Sequence, residues 1–299
     1  MYGPGPLRLS AMMGTYPKTA ALKDGSIAPT GATLDFAPID TAQKGFKAVV
    51  RELKFDVAEI AIVTFLQAYA AGKPYRLLPF VMNGAFHQKS ILRRADDPIA
   101  VQDLAGRKVA MRSYAQTTPT WVRGILCDEY GLDLKRVHWL SQEGAHVAEY
   151  TDPAWVGRLD PGEGLEALLV SGGVDAIIAG GGLSGDPRIQ PMIDNPAQAA
   201  LDWYARRGAT PINHMVAVRT ELAEARPDLV KAIYLALIES RQATAEPPPK
   251  NGVDLQPHGF AAVEPALRMI IRFAFEQALI PTEYTVGELF GPVTGALAG

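Results

Sequence analysis

Residues 107–131 read RKVAMRSYAQTTPTWVRGILCDEYG. Val109, Ala110 and Met111 form a short apolar run of the kind that fills a buried strand. Arg112, Ser113, Tyr114 and Gln116 form a polar turn, and an apolar-periodic segment follows it up to Gly131. Thr118 suits a helix N-cap and Pro119 the first helical position. On that reading the N–H groups of Thr120 and Trp121 are left without intrahelical partners at a helix start, where an anion is favoured. Arg112 and Arg123 add positive charge nearby. Strand, polar turn and helix in this order are the unit of an α/β protein, whose ligands sit beyond the carboxyl ends of the strands. The stretch predicts an α/β chain that handles a small carboxylate or similar anion. Its binding candidates are Arg112, Gln116, Thr117, Thr118 and Arg123, with Tyr114 and Trp121 able to stack on an aromatic ring.

Strands and helices alternate outward from this unit. Leu7–Met13, Thr33–Ile39, Phe55–Ile60, Arg76–Met82 and Ala85–Arg93 read as strands, with Asn83-Gly84 as a turn signal between the last two. Thr19–Lys23, Thr41–Leu53 and Val63–Ala71 read as helices. After Asp96-Asp97-Pro98 a second block holds strands at Lys108–Met111, Val137–Leu140 and Ala176–Ala179. Its helices run from Pro119, over Leu165–Val170 and over Pro196–Arg206. Ile212–Val218 is a further buried strand, followed by helices at Thr220–Ala225, Pro227–Thr244 and Val263–Gln277. Glu246-Pro247-Pro248-Pro249 is expected as a surface loop. Such alternation implies mostly parallel sheets covered by helices. The expected division is 1–94 with 208–299 in one lobe and 95–207 in the other.

Composition narrows the function. The chain has 299 residues, 48% hydrophobic and 20% charged, with a net charge of −3. Its basic residues are not clustered, which argues against a nucleic-acid partner. The single cysteine, Cys127, excludes an intrachain disulfide and reads as a small buried hydrophobe rather than a nucleophile. No apolar run is long enough to span a membrane, and the first residues lack the features of an export signal. A cytoplasmic location is the expectation, and a homo-oligomer stays open.

Three stretches carry a family resemblance: DVAEIA at 56–61, WVRGILCDEYG at 121–131 and WYARRGATPINHMVAVR at 203–219. With Gly72-Lys73-Pro74 and Leu104-Ala105-Gly106-Arg107-Lys108-Val109 they resemble the type II periplasmic-binding-protein fold. They are similar, more closely, to the 4,5-dihydroxyphthalate decarboxylases built on it. The resemblance implies a two-lobed α/β fold with a central ligand cleft, and removal of CO2 from a hydroxylated aromatic carboxylate without an organic cofactor. The chain departs from the family at Phe86-His87-Gln88-Lys89-Ser90 and over 141–160. The other reading is a non-catalytic solute-binding protein for an aromatic or other small organic acid, of the ABC-transporter receptor type.

Decarboxylation requires a held carboxylate, a proton delivered to the ring carbon, and exclusion of water. His214 and His87 are the candidate proton donors, since histidine titrates in the useful range. Glu59 follows an apolar strand and should face the cleft, where it binds a hydroxyl, orients a histidine or ligates a metal. Tyr16 and Thr64 are polar contacts expected from the same lobe. His146 lies in a polar loop that could cover the cleft. Glu59, His87 and His214 lack helical metal-ligand spacing, so a divalent metal stays open without being expected. Gly180-Gly181-Gly182 lacks the pattern of a phosphate loop and reads as close backbone approach in a cleft wall.

Overall fold

The structure, a computed structural model, describes residues 2–160, 162–244 and 251–297. The expected loop at Glu246-Pro247-Pro248-Pro249 lies outside the described residues. The chain begins β1 (Leu7–Met12), α1 (Pro17–Lys23), β2 (Ala32–Phe36), α2 (Phe46–Val50), β3 (Val57–Ala61), α3 (Ile62–Ala70) and β4 (Tyr75–Gly84). It continues through β5 (Ile91–Arg94), β6 (Lys108–Ser113), α4 (Thr117–Tyr130), β7 (His138–Glu143), β8 (Val156–Arg158), α5 (Leu165–Val170), β9 (Ala176–Ile178), β10 (Ile189–Pro191) and α6 (Pro196–Arg207). It closes with β11 (Ile212–Arg219), α7 (Thr220–Ala225), α8 (Pro227–Gln242), α9 (Phe260–Glu276) and α10 (Val286–Gly295).

Two sheets result, ordered β2-β1-β3-β11-β4 and β10-β5-β9-β6-β7-β8. In the first, β1 runs parallel to β2 and β3, whereas β11 runs antiparallel to both its neighbours. In the second, β6 is parallel to β7 and β9, and β5 and β10 are antiparallel additions. The central strands β3, β6, β9 and β11 are buried along most of their length, as expected where both faces of a sheet are covered, whereas the edge strand β2 alternates. In β3, VAEIA, every position is buried, Glu59 included. No helix among the described residues is long and apolar enough to cross a membrane.

Three expectations need correction here. Strand β5 pairs with β9 and β10, so Ile91–Arg94 belongs to the second sheet and not to a first lobe ending at residue 94. Asn83-Gly84 is not a hairpin turn but the end of β4, with Asn83 opposite His214 and Gly84 opposite Ile212. A Cβ on Gly84 would lie 2.1 Å from the Leu255 carbonyl oxygen, so close backbone approach accounts for the glycine. The third concerns α4, which begins two residues earlier than its Thr-Pro step suggests. Gln116 is the N-cap, and the Thr120 N–H is already bonded to the Gln116 carbonyl at 3.1 Å. The unpaired first-turn N–H groups are therefore those of Thr117 and Thr118, with Pro119 having none to offer.

Helix α9, from the last part of the chain, packs against α4 of the second lobe. Phe273 stands edge-on to Trp121 with ring centroids 5.6 Å apart, and Trp121 meets Trp203 of α6 in the same way at 6.3 Å. Arg272 pairs with Asp128 at 2.5 Å. The seam closes because Gly124 leaves room: a Cβ there would sit 2.2 Å from the Phe273 ring. All these rings are buried, so the side chains have nowhere to relax. Gly124→Ala is accordingly expected to destabilise the fold by about 1–3 kcal/mol despite the better helix propensity of alanine. A lowered midpoint of urea unfolding checks this; an unchanged or raised midpoint contradicts the packing account.

Candidate functional site

A cavity of about 550 Å³, well within the range of small-molecule sites, lies at the carboxyl ends of β3, β6 and β9, where Ala61, Arg112 and Ile178 line it. Its first-lobe wall includes Phe46, Ala61, Thr64, Asn83, Asn213 and His214, and its second-lobe wall includes Arg112, Thr117, Thr118, His146, Gly180 and Gly181. Both lobes thus contribute.

At the base of the first-lobe wall lies a buried acid. Glu59 is 0% exposed and His214 is 6% exposed. Antiparallel pairing sets His214 opposite Ala61 and Val216 opposite Glu59, so His214 and Glu59 are diagonal neighbours on one face. Irregular register between β11 and β4 on both sides of His214 re-aims the strand locally. The Nδ1–H of His214 donates to Oε1 of Glu59 at 2.6 Å. Tyr16 donates its hydroxyl to the same oxygen at 2.9 Å, and the Gly14 N–H donates to Oε2 at 2.9 Å. Burial alone would push the Glu59 carboxyl up. The hydrogen bond and charge of His214, with the bonds from Gly14 and Tyr16, outweigh it and hold the group below the usual carboxylate range. An ionised carboxylate only accepts, so the His214 proton sits on Nδ1 and Nε2 is left to meet the cavity. Tyr16, in turn, is kept protonated by burial and by the Glu59 charge.

The second-lobe wall is the start of α4. Thr117 and Thr118 present their N–H groups, and the Thr117 hydroxyl also accepts from the Val63 N–H at 3.3 Å, in the first turn of α3. Two helix N-termini therefore converge on the cavity, which favours an anion there. Gly180 fits as cleft-wall backbone, because a Cβ would lie 3.1 Å from the Thr118 hydroxyl. Arg112 does line the cavity, but it is well exposed and pairs with Glu143 at 3.0 Å.

Of the residues singled out from the sequence, His214, Thr64, Arg112, Gln116, Thr117 and Thr118 line the cavity. Glu59 and Tyr16 stand behind His214 as its support. Four others do not line the cavity. His87 is buried, burial lowers its pKa to about 4, and its Nε2 bonds Asn213 Oδ1 at 2.8 Å; it positions Asn213 and is no exposed proton donor. Arg123 is 0% exposed, lies over the Tyr114 ring at 3.8 Å, and donates to Gln277 Oε1 and the Tyr114 carbonyl at 2.7 and 2.6 Å. Tyr114 donates its hydroxyl to the Gln277 carbonyl. Trp121 donates its indole N–H to the Ile212 carbonyl at 2.8 Å and belongs to the core. Cys127 is half-buried, and burial pushes its thiol up to about 11, away from nucleophile chemistry.

Phe46, Asn83, Asn213 and the full role of His146 were not legible in the sequence. His146 Nδ1 lies 2.9 Å from the Thr64 hydroxyl, and its ring stands edge-on to Phe46. Phe46 meets His214 in the same geometry, with centroids 5.2 Å apart. Among the described residues no three His, Cys, Asp or Glu side chains are grouped as metal ligands.

Glu59→Gln tests the buried acid. Because the folded-state pKa of Glu59 is depressed, its contribution is complete above the unfolded value of about 4.3 and is lost as pH falls through the folded-state value. The variant should lose about 1–3 kcal/mol of stability near neutral pH, since its amide nitrogen cannot accept and leaves a buried donor such as the Gly14 N–H unsatisfied. The gap to wild type should narrow as the pH drops below about 4. Urea unfolding across that range reads both effects; a gap independent of pH counts against an ionised Glu59.

No family model matches the chain. A 4,5-dihydroxyphthalate decarboxylase of Comamonas testosteroni is 29% identical over 254 residues, covering 79% of this chain and 75% of that protein. A 4,5-dihydroxyphthalate decarboxylase of Pseudomonas putida is 29% identical over 211 residues, covering 66% of this chain and 81% of that protein. Among solved structures, the periplasmic aliphatic sulphonate binding protein SsuA from Escherichia coli aligns with a TM-score of 0.58 at 15% identity, covering 96% of this chain and 98% of that one. The chain is thus similar over most of its length to the 4,5-dihydroxyphthalate decarboxylases, and its fold is the two-lobed fold of the SsuA-type periplasmic binding proteins.

Proposed function

We propose that this cleft decarboxylates a hydroxylated aromatic carboxylate of the 4,5-dihydroxyphthalate kind. One observation carries the reading above all: a histidine held by a buried carboxylate opens onto the same cavity as a helix start suited to a carboxylate. The substrate carboxylate sits against the N–H groups of Thr117 and Thr118. His214, with Nδ1–H fixed on Glu59, carries a second proton on Nε2 and gives it to the ring carbon that bears the departing group. The ionised Glu59 offsets the positive charge of that state and fixes the ring orientation. The bond to the carboxylate carbon then breaks, its electron pair restores the aromatic ring, and CO2 leaves. The product carries hydrogen where the carboxylate was, and His214 regains its Nε2 proton from solvent. Enclosure by both lobes limits water during the charge relocation. The sequence similarity to proteins that carry this activity by name supports the same reading.

A positioned general acid contributes about 10²–10⁴-fold in rate. His214→Asn is therefore expected to bind 4,5-dihydroxyphthalate and to lose most CO2 release, measured by coupled CO2 assay beside calorimetric titration. Near-normal release from the variant removes His214 as the acid. Tight binding by wild type with no CO2 release, with or without added divalent metal, replaces the decarboxylase with a receptor for the same class of acid.

A further inference from the structure

The cavity holds a second imidazole. His146 comes from the segment after β7 in the second lobe, yet its hydrogen bond goes to Thr64 in the first turn of α3. Its place is fixed from outside the cavity: Arg51 donates to the carbonyls of His146 and Ala145 at 2.6 and 3.2 Å, and Lys73 pairs with Glu149 at 2.5 Å. The ring packs edge-on to Phe46, which packs in the same way against His214. An aromatic ligand lying along Phe46 therefore meets both imidazoles. With Nδ1 occupied by Thr64, Nε2 has no partner among the described residues, although His146 lines the cavity.

The chemistry of that nitrogen limits what it can meet. Burial, with Lys47, Arg112 and Arg51 nearby outweighing Glu143, lowers the His146 pKa to about 4, so the ring is neutral near neutral pH. A neutral imidazole presents either a bare nitrogen or an N–H at Nε2, according to which partner of the Thr64 bond donates. A carboxylate satisfies only the second case. A hydroxyl donates and accepts, and so satisfies both. The surrounding first-lobe groups, Thr41, Gln43 and Thr64, are likewise uncharged.

Resting on the decarboxylase reading, we propose that His146 is the positioning residue for a ring hydroxyl of the substrate and gives the site its preference for phenolic over unsubstituted aromatic acids. Phthalate and 4,5-dihydroxyphthalate share both carboxylates and differ only in the ring hydroxyls, so their affinity ratio isolates this contact. We would titrate both calorimetrically into the His214→Asn protein, where bound ligand is not consumed, with and without His146→Leu. The hydroxylated acid should bind at least about tenfold tighter in the parent, because a site built around a hydroxyl rejects the analogue that lacks it. With His146→Leu the ratio should fall toward one while phthalate affinity holds. Should that variant fail to fold, Thr64→Val removes the hydroxyl that orients the imidazole and should shrink the ratio several-fold. An unchanged ratio, or a parent protein with no preference or no binding of either acid, overturns the inference. CO2 release by wild type is followed in parallel. Its absence beside a His146-dependent ratio defeats the decarboxylase reading alone, and its presence beside an unchanged ratio defeats the His146 assignment alone.

Discussion

One buried carboxylate organises the first lobe. Glu59 is fully enclosed, and an isolated charge in such a place is far too unfavourable to persist. Three donors from separate parts of the chain make it tolerable: the Gly14 N–H beyond β1, the Tyr16 hydroxyl at the entrance of α1, and His214 on the returning strand β11. Each donor demands a particular alignment. Strand β3 must sit between β1 and β11, and β11 must keep the register that sets His214 diagonal to Glu59. A slip of one residue would turn His214 to the other face of the sheet and leave the carboxylate short of a partner. The topology of the lobe and the placing of its cavity-facing imidazole are thus one constraint.

The second lobe supplies an anion site of a different physical kind. Arg112 and Arg123 look like its charge, but Arg112 is matched by Glu143, and Arg123 is turned inward to hold Tyr114 and Gln277. What remains at the cavity is backbone: the first N–H groups of α4, the neighbouring start of α3, and the peptide groups at Gly180 and Gly181. Such dipoles favour a carboxylate by about 0.3–2 kcal/mol near a helix end, and they do so without a mobile counter-charge that would follow the ligand out. They also leave the Glu59 carboxylate, with the histidine it holds, on the facing lobe.

Much of this was open to reading from local pattern. The apolar runs gave β1, β3, β6 and β11 within a residue or two, and the stretch 107–131 located the helix start that faces the cavity. Glu59 and His214 stood out as polar residues at apolar runs, but Glu59 lies mid-strand in β3, behind the cavity wall rather than facing it, and His214 lies within β11. The errors share one cause, which is information carried by distant partners. Trp121 and Arg123 are close in sequence to the cavity-lining threonines, yet Phe273 of α9 and Gln277 just after it, some 150 residues on, cover them. Asn83-Gly84 has the composition of a tight turn, but an approaching backbone at Leu255 explains its glycine equally well, and nothing local separates the two. His146 sat in a polar stretch with no periodicity, where only the tether through Arg51 gives it a position.

The same two-lobed frame serves receptors and enzymes, so the decision between them rests on the site. A receptor for an aromatic acid needs an anion-favouring wall and an apolar surface for the ring, and the α4 start with Phe46 supplies both. It gains nothing from an ionised carboxylate buried behind the opposite wall, since that charge repels an anionic ligand and must be desolvated as well. The pair makes sense when positive charge is needed on an imidazole during the reaction, because Glu59 then offsets a proton held at Nε2 and surrenders nothing when the proton leaves. On the proposed reading the helix start orients the leaving carboxylate while the histidine on the opposite wall delivers the proton, so the two lobes divide orientation from proton transfer. A neutral second imidazole on the same aromatic platform fits that division: it can fix the ring without competing with His214 for the proton.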